Sequence, residues 1–321
     1  MKKLLKIIIS ASLVSVLLGS TLFLCSFIAA GGDFKDMTAS TVNYQTHTGG
    51  NDVTSIDINF ERASIDIDLI FDEDATGVTV SYPATETTKN GTLLQTVTLT
   101  ENAGKITLSA KRTMADFFLF LVFSYDLKVT LTLPASSDIS LDFTASTGDI
   151  TVNGEGRVKN LALETDTGDI KVNNKITAKT ANFEADTGDI SLNAIVAEAL
   201  GIEVDTGDVR LGSANVSGMA DVSVDTGNIY LSGRLTAERL EIESDTGDIK
   251  MKDGIVDASK INIETDTGEV FITLAGSIGE YAIIVYTDTG DSNVKGNAGG
   301  PREINVSTDT GDVRIYFEIN Q

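Results

Sequence analysis

A five-residue phrase recurs nine times between residues 146 and 313 of this 321-residue chain. Asp-Thr-Gly-Asp-Ile stands at 166–170, 186–190 and 245–249, and Val replaces Ile at 205–209 and 309–313. The remaining copies read DTGNI at 225–229, DTGEV at 266–270 and DTGDS at 288–292, with Ser146-Thr147-Gly148-Asp149-Ile150 as the first. The central glycines, from Gly148 to Gly311, are spaced 19 to 22 residues apart. A fixed period of about 20 residues marks a solenoid, in which each unit buries its apolar face only against its neighbours. The period argues against two ordinary globules and for one elongated stack.

Each unit has the pattern of a coil of strands. In Leu161–Val172, Leu161, Leu163 and Thr165 alternate with Ala162, Glu164 and Asp166, and beyond the corner Ile170 and Val172 alternate with Asp169 and Lys171. Period two places the first set inward and the second outward. Ile202/Val204 with Val209/Leu211, and Val222/Val224 with Ile229/Leu231, keep that register. A looser third segment carries Ile176 and Ala178, Ile195 and Ala197, and Leu235 and Ala237. Three short segments per coil predict an all-β fold, a parallel β-helix over 135–321. The stretch Asn193–Leu200 is helix-prone by composition, but its place in the period makes it a strand. The eighth coil is irregular, with Ser292 where Ile or Val is expected and a loop through Gly296–Pro301.

The rest of the chain divides by composition. Residues 51–134 alternate apolar and polar residues without the DTG corner and read as an atypical β cap, which a solenoid needs to shield its open end. Within this cap four phenylalanines, Phe117, Phe118, Phe120 and Phe123, crowd into seven residues. They read as a loop folded over the end of the core or as an interaction loop meeting a membrane or a protein. Residues 31–50 are small and polar, a linker. In 1–30, Lys2, Lys3 and Lys6 precede a run of 24 uncharged residues from Ile7 to Ala30. That run is long enough for a transmembrane helix, and the lysines hold its start in the cytoplasm. The expectation is a single-pass signal-anchor through residues 7–30 at the cell membrane with the body outside. The alternative is a cleaved signal peptide.

Charge narrows the partners. The chain has 47 acidic and 24 basic residues, three of the latter in the leader. Such a surface repels nucleic acid phosphates and anionic lipid. Cys25 is the only cysteine and His47 the only histidine, so disulfides, Cys or His metal sites and a Ser-His-Asp triad have no material.

The repeated corner itself invites four readings. Structurally, Gly permits a sharp bend, the first Asp can accept a backbone N–H two residues on, and Thr can stack on Thr. Asp-Thr-Gly is also the signature of aspartic proteases, but there two copies face each other across a cleft and share a proton. Copies stacked along one edge do not form such a dyad. Stacked aspartates could supply oxygen to calcium, with Asp166, Asp186, Asp205, Asp225, Asp245, Asp169, Asp189 and Asp208 as candidate ligands. Against this, Lys171, Arg210, Lys250 and Arg314 each stand two residues after a column acid, and the nonapeptide of calcium-binding β-rolls is absent. A polysaccharide-cleaving site would need a compact acid–base cluster, and none stands out. No catalytic residue and no dedicated cofactor are therefore expected.

The leader, the run Leu131-Thr132-Leu133-Pro134 before the first corner and the recurring Asp-Thr-Gly-Asp-Ile/Val corner resemble a bacterial β-strand-repeat family named as adhesins, of unknown function. The resemblance covers roughly 40–320 and implies an exported cell-surface β-solenoid. It carries no catalytic residues to transfer. The function expected is a membrane-anchored structural, adhesion or protein-interaction module without catalysis, meeting an envelope protein or glycan. An envelope sensor or regulatory ectodomain is the runner-up, and a polysaccharide-active β-helix the third reading.

Overall fold

The computed structural model describes residues 19–21, 25, 40–88, 93–112 and 127–318. They divide into two compact units. The smaller includes 40–44, 83–88 and 93–97, where Thr85, Glu86 and Thr87 pair antiparallel with Thr96, Gln95 and Leu93. The larger takes 45–82, 98–110 and 127–318 and is a parallel β-solenoid. The four phenylalanines of the 113–126 stretch lie outside the described residues, as does most of the 7–30 span. No described helix is long and apolar enough to cross a membrane.

In the solenoid each coil lies in register on the next, and side chains repeat as inward columns. Leu141, Leu161, Ala181, Leu200, Ala220 and Leu240 form one, and Phe143, Leu163, Phe183, Ile202, Val222 and Ile242 another. Beyond the corner run Ile150, Ile170, Ile190, Val209, Ile229 and Ile249. Every one of these residues is at most 3% exposed. The outward residues alternate with them, as period two requires. The coils that begin at Gly168 and Gly188 differ in length by one residue, and a bulge absorbs the difference. Val172 pairs with Leu192 and Lys175 with Ala194, so two residues oppose one. The helix-prone Asn193–Leu200 stretch is divided between the strands Ile190–Ala197 and Ala199–Thr206, where tertiary pairing overrides local propensity.

The order of coils departs from chain order at both ends. The strand Ser55–Ser64 is flanked by Lys105–Arg112 on one side and Ser140–Thr147 on the other. Its continuation Asp66–Asp72 lies between Lys128–Pro134 and Ile150–Asn153. The chain thus lays its second coil outside its first before starting the regular stack. At the far end Arg302–Thr310 lies between Ile249–Thr267 and Tyr281–Thr289, so the ninth corner precedes the eighth in the column. The eighth coil has Ser292 in place of the apolar residue after the corner and makes only one bridge there, Ser292 with Val313. A coil lacking its second strand cannot support another, so it belongs at the end. Val313–Phe317 completes the ninth coil by pairing with Val270–Leu274.

Both ends of the solenoid carry closing devices. The outermost Lys128–Pro134 strand is covered by Thr79, Val80 and Ser81, antiparallel to Thr132, Leu131 and Thr130. At the other end the Asn293 amide serves as a one-residue strand, its Oδ1 accepting from Ile315 N–H at 2.8 Å and its Nδ2 donating to Ile315 O at 3.0 Å. Tyr281, fully buried, plugs the last layer, and its hydroxyl donates to Ala275 O at 2.8 Å. Burial pushes that phenol up to about 12, against the pull of the Arg302 guanidinium lying 4.6 Å over its ring.

Candidate functional site

The recurring corner is the one place where chemistry-bearing side chains are brought together coil after coil. Its glycine is demanded twice. Gly168, Gly188, Gly207, Gly227 and Gly247 have φ between 148° and 154°, a region open to glycine alone. A Cβ on any of them would also overlap the carbonyl oxygen of the corner glycine one coil back. Thr lies on Thr in register from Thr147 to Thr267, as the stacking reading expects.

The two aspartates of the phrase play different parts. The second, after the glycine, forms a ladder along the stack. Asp169 N–H donates to Asp149 Oδ1 at 2.8 Å, Asp189 N–H to Asp169 at 2.9 Å and Asp208 N–H to Asp189 at 2.8 Å. Asn228, Asp248 and Glu269 continue it at 2.9, 3.0 and 2.9 Å. At the corner this N–H donates to a side-chain oxygen of the neighbouring coil rather than to a backbone carbonyl. Asn228 fits because the ladder needs an oxygen acceptor, which an amide supplies.

The sequence placed the backbone acceptor at the first aspartate, and the structure places it at the second. Asp166, Asp186, Asp205, Asp225 and Asp245 are exposed, and their carboxylates make no hydrogen bond or ion pair among the described residues. The ladder also begins earlier than the phrase does. Asp149 N–H donates to Asp66 Oδ1 at 3.0 Å, from a corner, Ser64-Ile65-Asp66-Ile67, that has no glycine. The only signal for it was a Ser-x-Asp-Ile echo without the residue that marks every other copy.

A basic row runs beside the ladder. Lys171, Ser191, Arg210, Tyr230 and Lys250 follow one another in register, so a cation occurs in every second coil. Each can therefore reach two carboxylates without a like neighbour. Arg210 holds Asp189 and Asp208 at 2.5 and 2.6 Å, Lys171 holds Asp169 at 2.8 Å and Lys250 holds Asp248 at 2.7 Å. Tyr230 separates Arg210 and Lys250, with the two cations 5.5 and 5.9 Å from its ring centre.

The titration of the two faces diverges accordingly. Partial burial pushes Asp169 upward, but the hydrogen bonds from Lys171 and from Asp189 N–H outweigh it and hold the carboxyl below its ordinary 3.8. Asp248 is held down in the same way against its own burial, by Lys250 and Glu269 N–H. On the neighbouring outward face Glu164, Glu184 and Glu203 stack in register beside the first aspartates. Partial burial and then these like charges raise Glu184, as burial, Asp205 and Asp166 raise Asp186. Burial and Glu241 raise Asp221, against Arg239. A shallow depression of about 320 Å³ lies over this face, floored by Ala162 and Gly201 and rimmed by Glu164, Glu184 and Glu203. Among the described residues no three acidic, histidine or cysteine side chains converge to hold a metal ion.

These directions fix a pH profile. A raised acid binds its proton more tightly in the fold, so Glu184, Asp186 and Asp221 add stability as pH falls towards the carboxylate range. A lowered acid does the reverse, and the contribution of Asp169 and Asp248 is lost as pH drops below 3.8. At low salt the melting temperature therefore rises from pH 7 to about pH 5 and falls by about pH 3. At pH 7 sodium chloride raises it by screening, and calcium raises it no more than magnesium does. A saturable, calcium-selective rise lost in Asp186→Asn would instead put calcium in the columns.

Stacked coils, a glycine corner and a side-chain ladder in place of a cleft define a β-solenoid repeat protein. The chain belongs to the Toastrack DUF4097 family, whose model matches residues 53–316. Solved structures similar to it include a "putative adhesin" from Parabacteroides distasonis ATCC 8503, 14% identical, with TM-score 0.43 over 87% of this chain and 97% of that one. Another, from Parabacteroides merdae ATCC 43184, is 12% identical, with TM-score 0.42 over 86% and 96%. A third, from Bacteroides fragilis NCTC 9343, is 15% identical, with TM-score 0.40 over 87% and 98%. Among curated proteins no relative matches.

Proposed function

We propose that the chain is an exported, membrane-anchored solenoid that serves as a structural, adhesion or protein-interaction module of the cell envelope and performs no catalysis. The observation that carries this reading is the use made of the aspartates. One column is engaged in holding coil to coil, and the other is strung along the surface at about 4.8 Å intervals, where its charges repel and cannot converge on a substrate. What such a body offers is a long, regular, anionic surface. The anchor rests on the 24 uncharged residues behind Lys2, Lys3 and Lys6.

Protease treatment of intact cells tests the placement. The body is removed, and a small membrane-retained stub carrying the amino terminus remains. Recovery of a soluble mature protein beginning near Gly31 would replace the anchor with a cleaved signal peptide, and full protection of the body would place it on the other side of the membrane.

A further inference from the structure

The two ends of the solenoid are closed to different extents, and the difference falls on one strand. Among the described residues, the outer edge of Tyr281–Thr289 is paired only at Ala282 and Ile283, antiparallel to Ala298 and Asn297. From Ile284 to Thr289 none of the described strands lies on it. The same stretch turns large apolar side chains outward, with Ile284 65% and Tyr286 56% exposed. Of the five large hydrophobic residues exposed among the described residues, four (Ile278, Ile284, Tyr286 and Tyr316) belong to the last two coils. Val285, whose counterparts Val306 and Ile263 are buried, is only half-buried here. An unprotected edge flanked by apolar side chains is a template for one more strand.

The charges beside this edge say which strand. Asp288 is the last member of the outward aspartate column, in line with Asp309 and Asp266 through the stacked threonines Thr289, Thr310 and Thr267. Asp291 is the last member of the ladder. Its N–H donates to Asp312 Oδ1 at 2.8 Å, but no following coil gives an N–H to its own carboxylate. Arg314, the nearest cation of the basic row, binds the Asp291 carbonyl and the Asp312 carboxylate and forms no ion pair with Asp291. The edge thus ends in two carboxylates without a partner among the described residues. A second copy of this chain would bring more of the same charge.

We propose that the Ile284–Thr289 edge is a docking site for an extended, basic segment of another protein, which adds as a further strand to the stack. Its apolar side chains lie beside Ile284 and Tyr286, and a lysine or arginine meets Asp288 and Asp291. The inference deepens the interaction-module reading by giving it a place on the fold. Its test uses purified protein, so failure here is distinct from failure of the membrane placement.

The probe is a fluorescein-labelled octapeptide alternating valine with lysine and threonine, added to the full-length chain in neutral detergent and followed by anisotropy. A peptide of equal charge with proline at alternate positions, which cannot pair as a strand, is the control for attraction to the acidic body. The strand-forming peptide binds at least tenfold more tightly than the proline peptide. Binding weakens about tenfold in Ile284→Ser/Tyr286→Ser and in Asp288→Asn/Asp291→Asn. It is unchanged in Asp205→Asn/Asp225→Asn, which removes equal charge from the middle of the stack. All four substituted positions of the edge pair are on the surface, and an unchanged melting temperature verifies the fold. Equal binding of the two peptides, equal loss in the mid-stack variant, or no binding overturns the proposal. A dimer seen by light scattering that Ile284→Ser/Tyr286→Ser abolishes also overturns it, because a second copy then occupies the edge.

Discussion

Removing one whole coil, Thr187–Asp205, leaves a folded protein one layer shorter, whereas removing ten residues from the same place, Thr187–Val196, abolishes folding. The larger deletion joins Asp186 to Thr206 and preserves the corner, because Thr187 and Thr206 are register partners. The new neighbours are compatible, since Ile170 and Val209 both stand in register with Ile190 and belong to one buried column. The cost lies in the basic row. Arg210 loses Asp189 and comes to lie one coil from Lys171 rather than two, which costs about 1 kcal/mol in water-like surroundings. With the lost coil–coil interface this lowers the melting temperature by several degrees. The smaller deletion joins Asp186 to Ala197, removes the corner and leaves half a coil that cannot close. Circular dichroism and thermal melts separate the outcomes. If both deletions melt alike, the coil is not the unit of this fold.

The second large effect is a single methyl group. Gly227→Ala puts a Cβ at φ 150° against the carbonyl oxygen of Gly207, with the next corner, Gly247, stacked on the other side. Neither layer can retreat without parting its ladder. The backbone conformation alone costs on the order of 1–3 kcal/mol, and the overlap adds to it. A loss of about 3 kcal/mol or more in chemical denaturation is expected. Gly279→Ala is the control, because a Cβ there meets nothing within 4 Å, and it should change stability by less than about 0.5 kcal/mol. Comparable losses at the two sites would mean that the corner glycine is not set by packing.

The solenoid, its inward columns and its corner glycines were legible in the sequence because each is written many times. Leu161 and Leu163, or Ile170 and Val172, need no partner other than their own copies one period away. The role of each aspartate was not legible. Both are equally regular in the text, and the choice between them depends on where the corner N–H points, which is a property of the backbone. Asp66 was hidden for a related reason, since Ile65 occupies the place that glycine holds in the nine recurring corners. The exchange of coil order at the ends was hidden more deeply. Coils with the same edge pattern can neighbour one another in any order, and only the incomplete second strand after Ser292 hinted that the eighth coil must be last. The alternation of cations could be counted in the sequence, but its meaning appears only when Arg210 is seen to reach back to Asp189 as well as to Asp208.

That exchange of the last two coils has a consequence in time. A chain that emerges amino terminus first can add most coils as they appear, each onto the one just made. The strand Tyr281–Thr289 cannot be placed in this way, because its one long neighbour among the described residues, Arg302–Thr310, has not yet been synthesised. Until then the edge of Ile249–Thr267 stays open, and the corresponding edge of Tyr281–Thr289 is an alternative partner close at hand. Arg302–Thr310 must displace or forestall that pairing by slipping between the two. Folding of the far end is therefore a closing step that waits for Arg302–Thr310, a strand made later than the one it must hold in place.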